Sequence, residues 1–233
     1  MTALTGEEWE VLLLSLKVSG VAMACALPLA FALAWVLARW RFPGAIVLDA
    51  LVHLPLVLPP VVTGWLLLIA LAPNTALGRF FENTFGLSFM FRWTGAALAA
   101  AIMALPLMVR AMRLSIEAVD RRYEQAARTL GAGRLRTFAT ITLPLTLPGI
   151  LAGLVLGFAR SVGEFGATIT FASNIPGETR TLPLAIYSAL QVPGAEWQVA
   201  RLAGLSILLS LAALVISEWL ARRHRAGAMR YVI

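Results

Sequence analysis

The chain has 233 residues, of which 60% are hydrophobic and only 13% charged, and its mean hydropathy is +0.83. A soluble domain carries about 25% charged residues, so this balance excludes a soluble globular protein and places the chain in the membrane class. The net charge of +7 does not point to nucleic acid, because the basic residues fall between apolar runs, where membrane topology accounts for them.

A bilayer core of about 30 Å needs roughly 20 helical residues. By that measure one transmembrane domain covers residues 1–233, with spans predicted near 11–38, 47–72, 94–114, 145–165 and 199–221. The N-terminus carries Glu7, Glu8 and Glu10 where a signal peptide would be basic, and its apolar run is too long for one. The first span contains Lys17, placed to snorkel to the interface, and Cys25, a lone cysteine that cannot form an internal disulfide. It stops at Arg39-Trp40-Arg41, and Phe42-Pro43-Gly44 makes a turn. The second span is interrupted at His53-Leu54-Pro55 and again at Pro59-Pro60. Such breaks free backbone carbonyls and are tolerated only where protein, water or a cavity satisfies them. Pro55, Pro59 and Pro60 are therefore candidates to line a pathway, or else hold a static kink.

Residues 73–93 form a polar, aromatic loop, and the third span continues as an amphipathic helix through Arg113 and Glu117. A polar island follows at 120–140. The fourth span runs into Arg160-Ser161-Val162-Gly163-Glu164-Phe165-Gly166. Arg160 and Glu164, four apart, share a helix face, and charge inside a span marks a functional candidate. Together with Ser161, Gly163 and Gly166 they form a candidate gate; the alternative is a self-neutralising pair that fixes packing. Leu182–Leu190 has about half the length of a span and is expected as a short helix or re-entrant piece on the outer side; a crossing there would make six spans. The last span ends at Arg222-Arg223-His224-Arg225, and no internal repeat is evident.

Most of the 19 basic residues lie near Arg39, between Arg110 and Arg136, or after Arg222. The positive-inside rule then sets the N-terminus outside and the C-terminus in the cytoplasm. Trp35, Trp40, Trp65, Trp93 and Trp219 include interfacial anchors, and His53 is expected to be a packing or interfacial residue. Catalytic groups are not expected. The chain has only two histidines, His53 and His224, and lacks Gly-x-Ser-x-Gly, His-Glu-x-x-His and the phosphate-binding Gly-x-x-x-x-Gly-Lys-Ser/Thr. No metal or cofactor is expected. A self-contained secondary transporter would show inverted repeats and several intramembrane charges, which are not found.

The polar island is built as helix, turn and helix. Gln125-Ala126-Ala127-Arg128-Thr129-Leu130 favours a helix, and Gly131-Ala132-Gly133 stops it. Arg134 to Thr140 resumes helical spacing, with Leu135, Phe138 and Ile141 together, until Leu143-Pro144. Leu130 and Phe138 are placed to fill a partner's groove, with arginines to pair with acidic residues around it. A loop resting on anionic headgroups is the alternative.

Gln125-Ala126-Ala127, three residues, Gly131, nine residues and Ile141-Thr142-Leu143-Pro144 resemble the EAA loop of binding-protein-dependent ABC importer membrane subunits. One departure is Gln125 where that loop has Glu, although Glu124 precedes it. The resemblance extends over nearly the whole chain to the molybdate permeases, and in part to their sulfate relatives. Besides the loop, His53 to Val62, Gly163 to Thr168 and Asn174 to Thr181 carry it.

The resemblance implies an all-α polytopic membrane protein of five to six helices in the bacterial cytoplasmic (inner) membrane. It implies molybdate import by alternating access, or import of sulfate, thiosulfate or tungstate. The implied partners are a second copy of the permease, two copies of an ATPase subunit and a periplasmic molybdate-binding protein, besides the lipid bilayer. Glu124, Gln125, Ala126, Ala127, Arg128, Leu130, Gly131 and Gly133 would then belong to a cytoplasmic coupling helix seated in the ATPase.

Overall fold

The computed structural model describes residues 4–229, with side chains described for residues 4–216. The regular structure among them is helical throughout, as a chain in lipid requires when each segment must satisfy its own backbone. In chain order the helices are α1 (Gly6–Arg39), α2 (Ala45–Val57), α3 (Pro60–Ala70), α4 (Ala76–Phe85), α5 (Trp93–Glu117) and α6 (Arg121–Thr129). Then come α7 (Arg134–Thr137), a π turn (Phe138–Thr142), α8 (Leu143–Val162), α9 (Gly166–Phe171), α10 (Leu182–Ala189) and α11 (Glu196–Met229). Trp219 and the Arg222 cluster lie outside the described side chains.

Four helices are long and apolar enough to cross a membrane, and the bent pair α2–α3 makes a fifth candidate. The centre is α5, packed between α1 and α8. Its buried face runs Ala96, Ala97, Ala100, Ala104, Met108 and Met112. Between lipid-embedded helices close packing replaces the hydrophobic drive, and small residues permit it. On α8 the complementary feature is Gly149, Gly153 and Gly157, spaced four apart on one face. A Cβ at 149 would collide with Ser115, and one at 153 would lie 3.2 Å from the Met108 carbonyl oxygen. At 157 it would sit 2.8 Å from the Met108 Cγ and the Met23 Sδ.

The second span breaks once, not twice. The α2 helix continues through Pro55 to Val57, and the Leu58 N–H still donates to the Leu54 carbonyl at 3.0 Å. The chain turns at Leu58-Pro59, and α3 leaves at 113° to α2. The two ends of the bent pair meet α5 at different heights. Asp49 in α2 pairs with Arg113 near the C-terminal end of α5, at 3.1 Å. Leu71, just past α3, clusters with Ala99 and Met103 of α5. Those positions on α5 are some 20 Å apart at 1.5 Å per residue.

The polar loop at 73–93 contains α4. The Thr75 hydroxyl accepts from the Gly78 N–H at 3.0 Å, Gly86 closes the helix at φ +63°, and Phe81 packs edge-on against Phe89. These aromatics serve a short surface helix that hydropathy alone does not reveal. The apolar stretch at Leu182–Leu190 forms the eight-residue α10, with Leu182 and Leu184 buried, and packs on α1 and α11 without crossing.

Ion pairs sort the loops to the two ends of the bundle. At the N-terminal end of α1, Glu7 pairs with Arg180 at 3.1 Å and buried Glu8 with Arg201 at 2.6 Å. Lys17 lies over the Trp93 ring at 3.8 Å. At the opposite end of α1, Arg39 pairs with Glu124 at 2.7 Å.

Candidate functional site

The polar island projects from the Arg39 end of the bundle as two short helices. Asp120 caps α6, its carboxylate accepting from the Arg122 N–H at 2.9 Å. At the other terminus the Gly131 N–H donates to the Arg128 carbonyl and the Ala132 N–H to the Ala127 carbonyl, both at 3.0 Å. That double bond is the Schellman closure, and it requires the left-handed conformation that Gly131 adopts at φ +86°. Gly133, in extended conformation, caps α7.

Gln125, Ala126, Arg128, Leu130, Gly131 and Gly133 are exposed, while Glu124 and Ala127 are half-buried. Leu130 is 88% and Leu135 84% exposed, an unusual apolar pair to present from a polar segment. Phe138 does something other than the sequence suggested. It lies against α1, edge-on to Trp35 with ring centroids 5.4 Å apart and 6.1 Å from Phe31. It fills a groove of this chain, and the projecting apolar surface belongs to Leu130 and Leu135. Glu124 likewise turns inward. Its Oε1 accepts from the Arg39 guanidinium and from the Thr142 hydroxyl, each at 2.7 Å.

The second candidate region joins two breaks. Gly163 ends α8, and its N–H donates to the Ala159 carbonyl at 3.3 Å. Glu164 therefore lies beyond the helix, not on it, yet the final turn still brings it to Arg160 at 2.6 Å. Its side chain is 2% exposed against 26% for Arg160. The other carboxylate oxygen accepts from the Ala167 N–H at 2.8 Å, satisfying a free donor in the first turn of α9. Ser161 donates to Ser19 of α1 at 3.1 Å.

The start of α9 meets the start of α3. A Cβ on Gly166 would lie 2.8 Å from the Pro60 Cβ, and one on Gly64 would lie 2.6 Å from the Ala167 carbonyl oxygen. The fold thus gathers Pro59, Pro60, Gly163, Glu164 and Gly166 around one junction. Arg160 and Ser161 sit a turn below on α8, and Pro55 stays apart within α2. The junction holds a charge pair in which the acid is sequestered and the guanidinium is partly open. It contains no nucleophile–base arrangement.

His53 approaches the Asp49 carbonyl through Nδ1 at 2.8 Å, beside the Asp49–Arg113–Glu117 chain of ion pairs. That is an inter-helix tie. The run Gly177 to Thr181 proves to be a knitted corner. Glu178 accepts from the Trp93 N–H at 3.3 Å at the start of α5, Thr179 accepts from the Ile175 N–H at 2.8 Å, and Arg180 reaches Glu7 and Asn174. Sequence reasoning missed the partners of Glu124, because Arg39 served there only as a topological stop. No local signal pairs residues 85 apart.

The chain resembles known membrane proteins in sequence and in fold. The family model described as binding-protein-dependent transport system inner membrane component matches residues 26–226. The chain is 60% identical over 226 residues to the molybdenum transport system permease protein ModB of Escherichia coli strain K12, covering 96% of this chain and 99% of that one. It is 60% identical over 210 residues to the ModB protein of Haemophilus influenzae, covering 90% and 92%. In fold it is similar to a chain of a bacterial alginate ABC transporter solved with an alginate pentasaccharide-bound periplasmic protein. There the TM-score is 0.71 at 18% identity, over 94% of this chain and 80% of that one.

Proposed function

The chain belongs to the family of binding-protein-dependent transport system inner membrane components, and on that premise we propose that it is the permease of an ATP-driven importer of molybdate. The observation that carries the proposal is the 60% identity, over nearly the full length of both chains, to molybdenum transport permeases. The energy comes from a separate ATPase subunit, since this chain has no phosphate-binding loop. Two permease copies and two ATPase subunits form the working unit, fed by a periplasmic oxyanion-binding protein.

In this reading α6 and α7 seat in the ATPase. Exposed Leu130 and Leu135 supply the apolar contact, and Arg128, Arg134 and Arg136 supply charge. Closure of the ATPase pair on ATP pushes the coupling helices together and opens the pathway outward. The docked binding protein then releases its anion, and loss of ADP and phosphate restores the inward-facing form. The junction of α3, α8 and α9 is the gate, where Gly163 and the Leu58-Pro59 turn let the helices hinge. The N-terminus lies outside and the end of α11 in the cytoplasm.

The test is reconstitution of the chain with its ATPase and periplasmic binding protein in liposomes. Labelled molybdate should accumulate only with all components and ATP. Uptake by the permease alone would overturn the proposal. Competition with tungstate and sulfate decides the cargo: if equimolar sulfate abolishes the signal, the importer is a sulfate carrier.

A further inference from the structure

The departure at Gln125 has a structural counterpart one residue earlier. No residue of α6 is buried, so packing contributes little to its position. Recesses of about 300 and 340 Å³ flank it, both bordered by the Glu124 side chain together with Trp35 and Trp40. Across that loosely filled space Glu124 makes two bonds of 2.7 Å, one to Arg39 at the end of α1 and one to Thr142 in the π turn. Side-chain exposure is 9% for Arg39 and 15% for Glu124, so water screens the pair poorly. Arg39 also lies on the Trp35 face at 5.4 Å, and Trp35 meets Phe138 of the π turn edge-on. The carboxylate therefore joins three elements at one point: the coupling helix, the turn that leads into α8, and the 34-residue rod α1.

We infer that Glu124 is a positioning residue of the coupling segment: through Arg39 and Thr142 it carries movement of α6 into α1 and α8. The carboxylate faces inward to this chain, and the neutral Gln125 is exposed. The inference rests on the coupling role proposed above for residues 120–140. At the far end of α1, buried Glu8 is tied to Arg201 of α11. The two ties stand at opposite ends of a helix about 50 Å long at 1.5 Å per residue, with Pro28 between them.

The experiment uses the whole permease–ATPase complex in proteoliposomes and measures anion uptake per ATP hydrolysed. Variants are Glu124→Gln, Arg39→Gln, Thr142→Val and the exchange Arg39→Glu with Glu124→Arg. Each single charge variant should co-purify with the ATPase and hydrolyse ATP, but move about tenfold fewer anions per ATP, within the usual range of coupling factors. Thr142→Val should lose less than either charge variant, because the carboxylate keeps its Arg39 partner. The exchange should recover most of the ratio.

Wild-type uptake per ATP in both charge variants would overturn the inference. So would an exchange no better than the singles, or loss of ATPase binding in Glu124→Gln, which would place the carboxylate on the partner. A Gly131→Pro arm separates this inference from its premise. If that variant also couples normally, the coupling role itself fails; if it uncouples while the charge variants do not, only the Glu124 linkage fails.

Discussion

At the scale of single residues, Gly131 and Glu164 show two kinds of legibility. Gly131 could be placed from sequence because a helix end followed by glycine is a local event, and its φ of +86° is a conformation that only glycine adopts cheaply. Gly131→Ala should cost about 1–2 kcal/mol of local stability, and Gly131→Pro should leave insertion intact while uptake per ATP falls at least tenfold, measured in reconstituted complex. The Arg160–Glu164 contact was expected from a shared helix face and forms across the end of α8 instead, and the bond from Glu164 to the Ala167 N–H was not legible, since the end of α8 at Val162 was not foreseen. Removing this acid leaves the partly open Arg160 guanidinium unpaired and the Ala167 N–H without its acceptor, at a cost of about 1–3 kcal/mol. Glu164→Ala should therefore lower the unfolding temperature in detergent and alter basal ATPase. Glu164→Gln, which keeps an acceptor for the Ala167 N–H, should be milder in stability. Equal effects of the two would show that the bond to Ala167 contributes little.

At the scale of elements, the α5–α8 contact depends on the glycine row of α8. What each glycine faces differs, and this predicts an order of sensitivity. At Gly149 an added Cβ meets the Ser115 side chain and, at 3.1 Å, the Ala111 carbonyl oxygen. At Gly157 it meets the Met108 Cγ and the Met23 Sδ, both at 2.8 Å, in side chains that are flexible but buried. Gly149→Ala should lower the thermal midpoint clearly, with overpacking of about 1–3 kcal/mol, and Gly157→Ala should cost less, because methionine side chains adapt more readily than a backbone carbonyl. The row was visible in the sequence as a spacing of four, but apolar spans contain many glycines. Only the packing partner gives this row meaning. The α2–α3 turn was half legible. Three prolines marked the region, and the hydrogen bond from Leu58 to Leu54 shows that the helix tolerates Pro55 and yields at Pro59.

At the scale of the whole molecule, the ion pairs divide the loops into two sets. Glu7, Glu8, Arg180 and Arg201 lie at one end, and Arg39, Glu124, Asp49 and Arg113 at the other. The sets agree with the charge asymmetry from which orientation was inferred, and the pairing adds that the arginines of the first set are matched by acids. Orientation is checked by thiol labelling in intact cells, after Cys25→Ala removes the native thiol. In cells lacking the ATPase subunit, a cysteine at exposed Val192 should react with a membrane-impermeant maleimide from outside, and one at exposed Leu135 only after permeabilisation. The reverse pattern would invert the topology.

Some properties of this protein were determined by sequence alone: its membrane class, its all-helical fold, the helix–glycine–helix island and its spacing. Each depends on composition, local periodicity or backbone preference, which neighbouring residues encode. Tertiary structure decided which groups those elements satisfy. It turned Glu124 toward Arg39 and Thr142, set Phe138 against α1, placed Gly166 on Pro60, and made the run from Gly177 to Thr181 a corner tied to α5 and α1. These contacts join residues distant in the chain, and a buried polar group in lipid accepts whichever partner the packing brings within 3 Å.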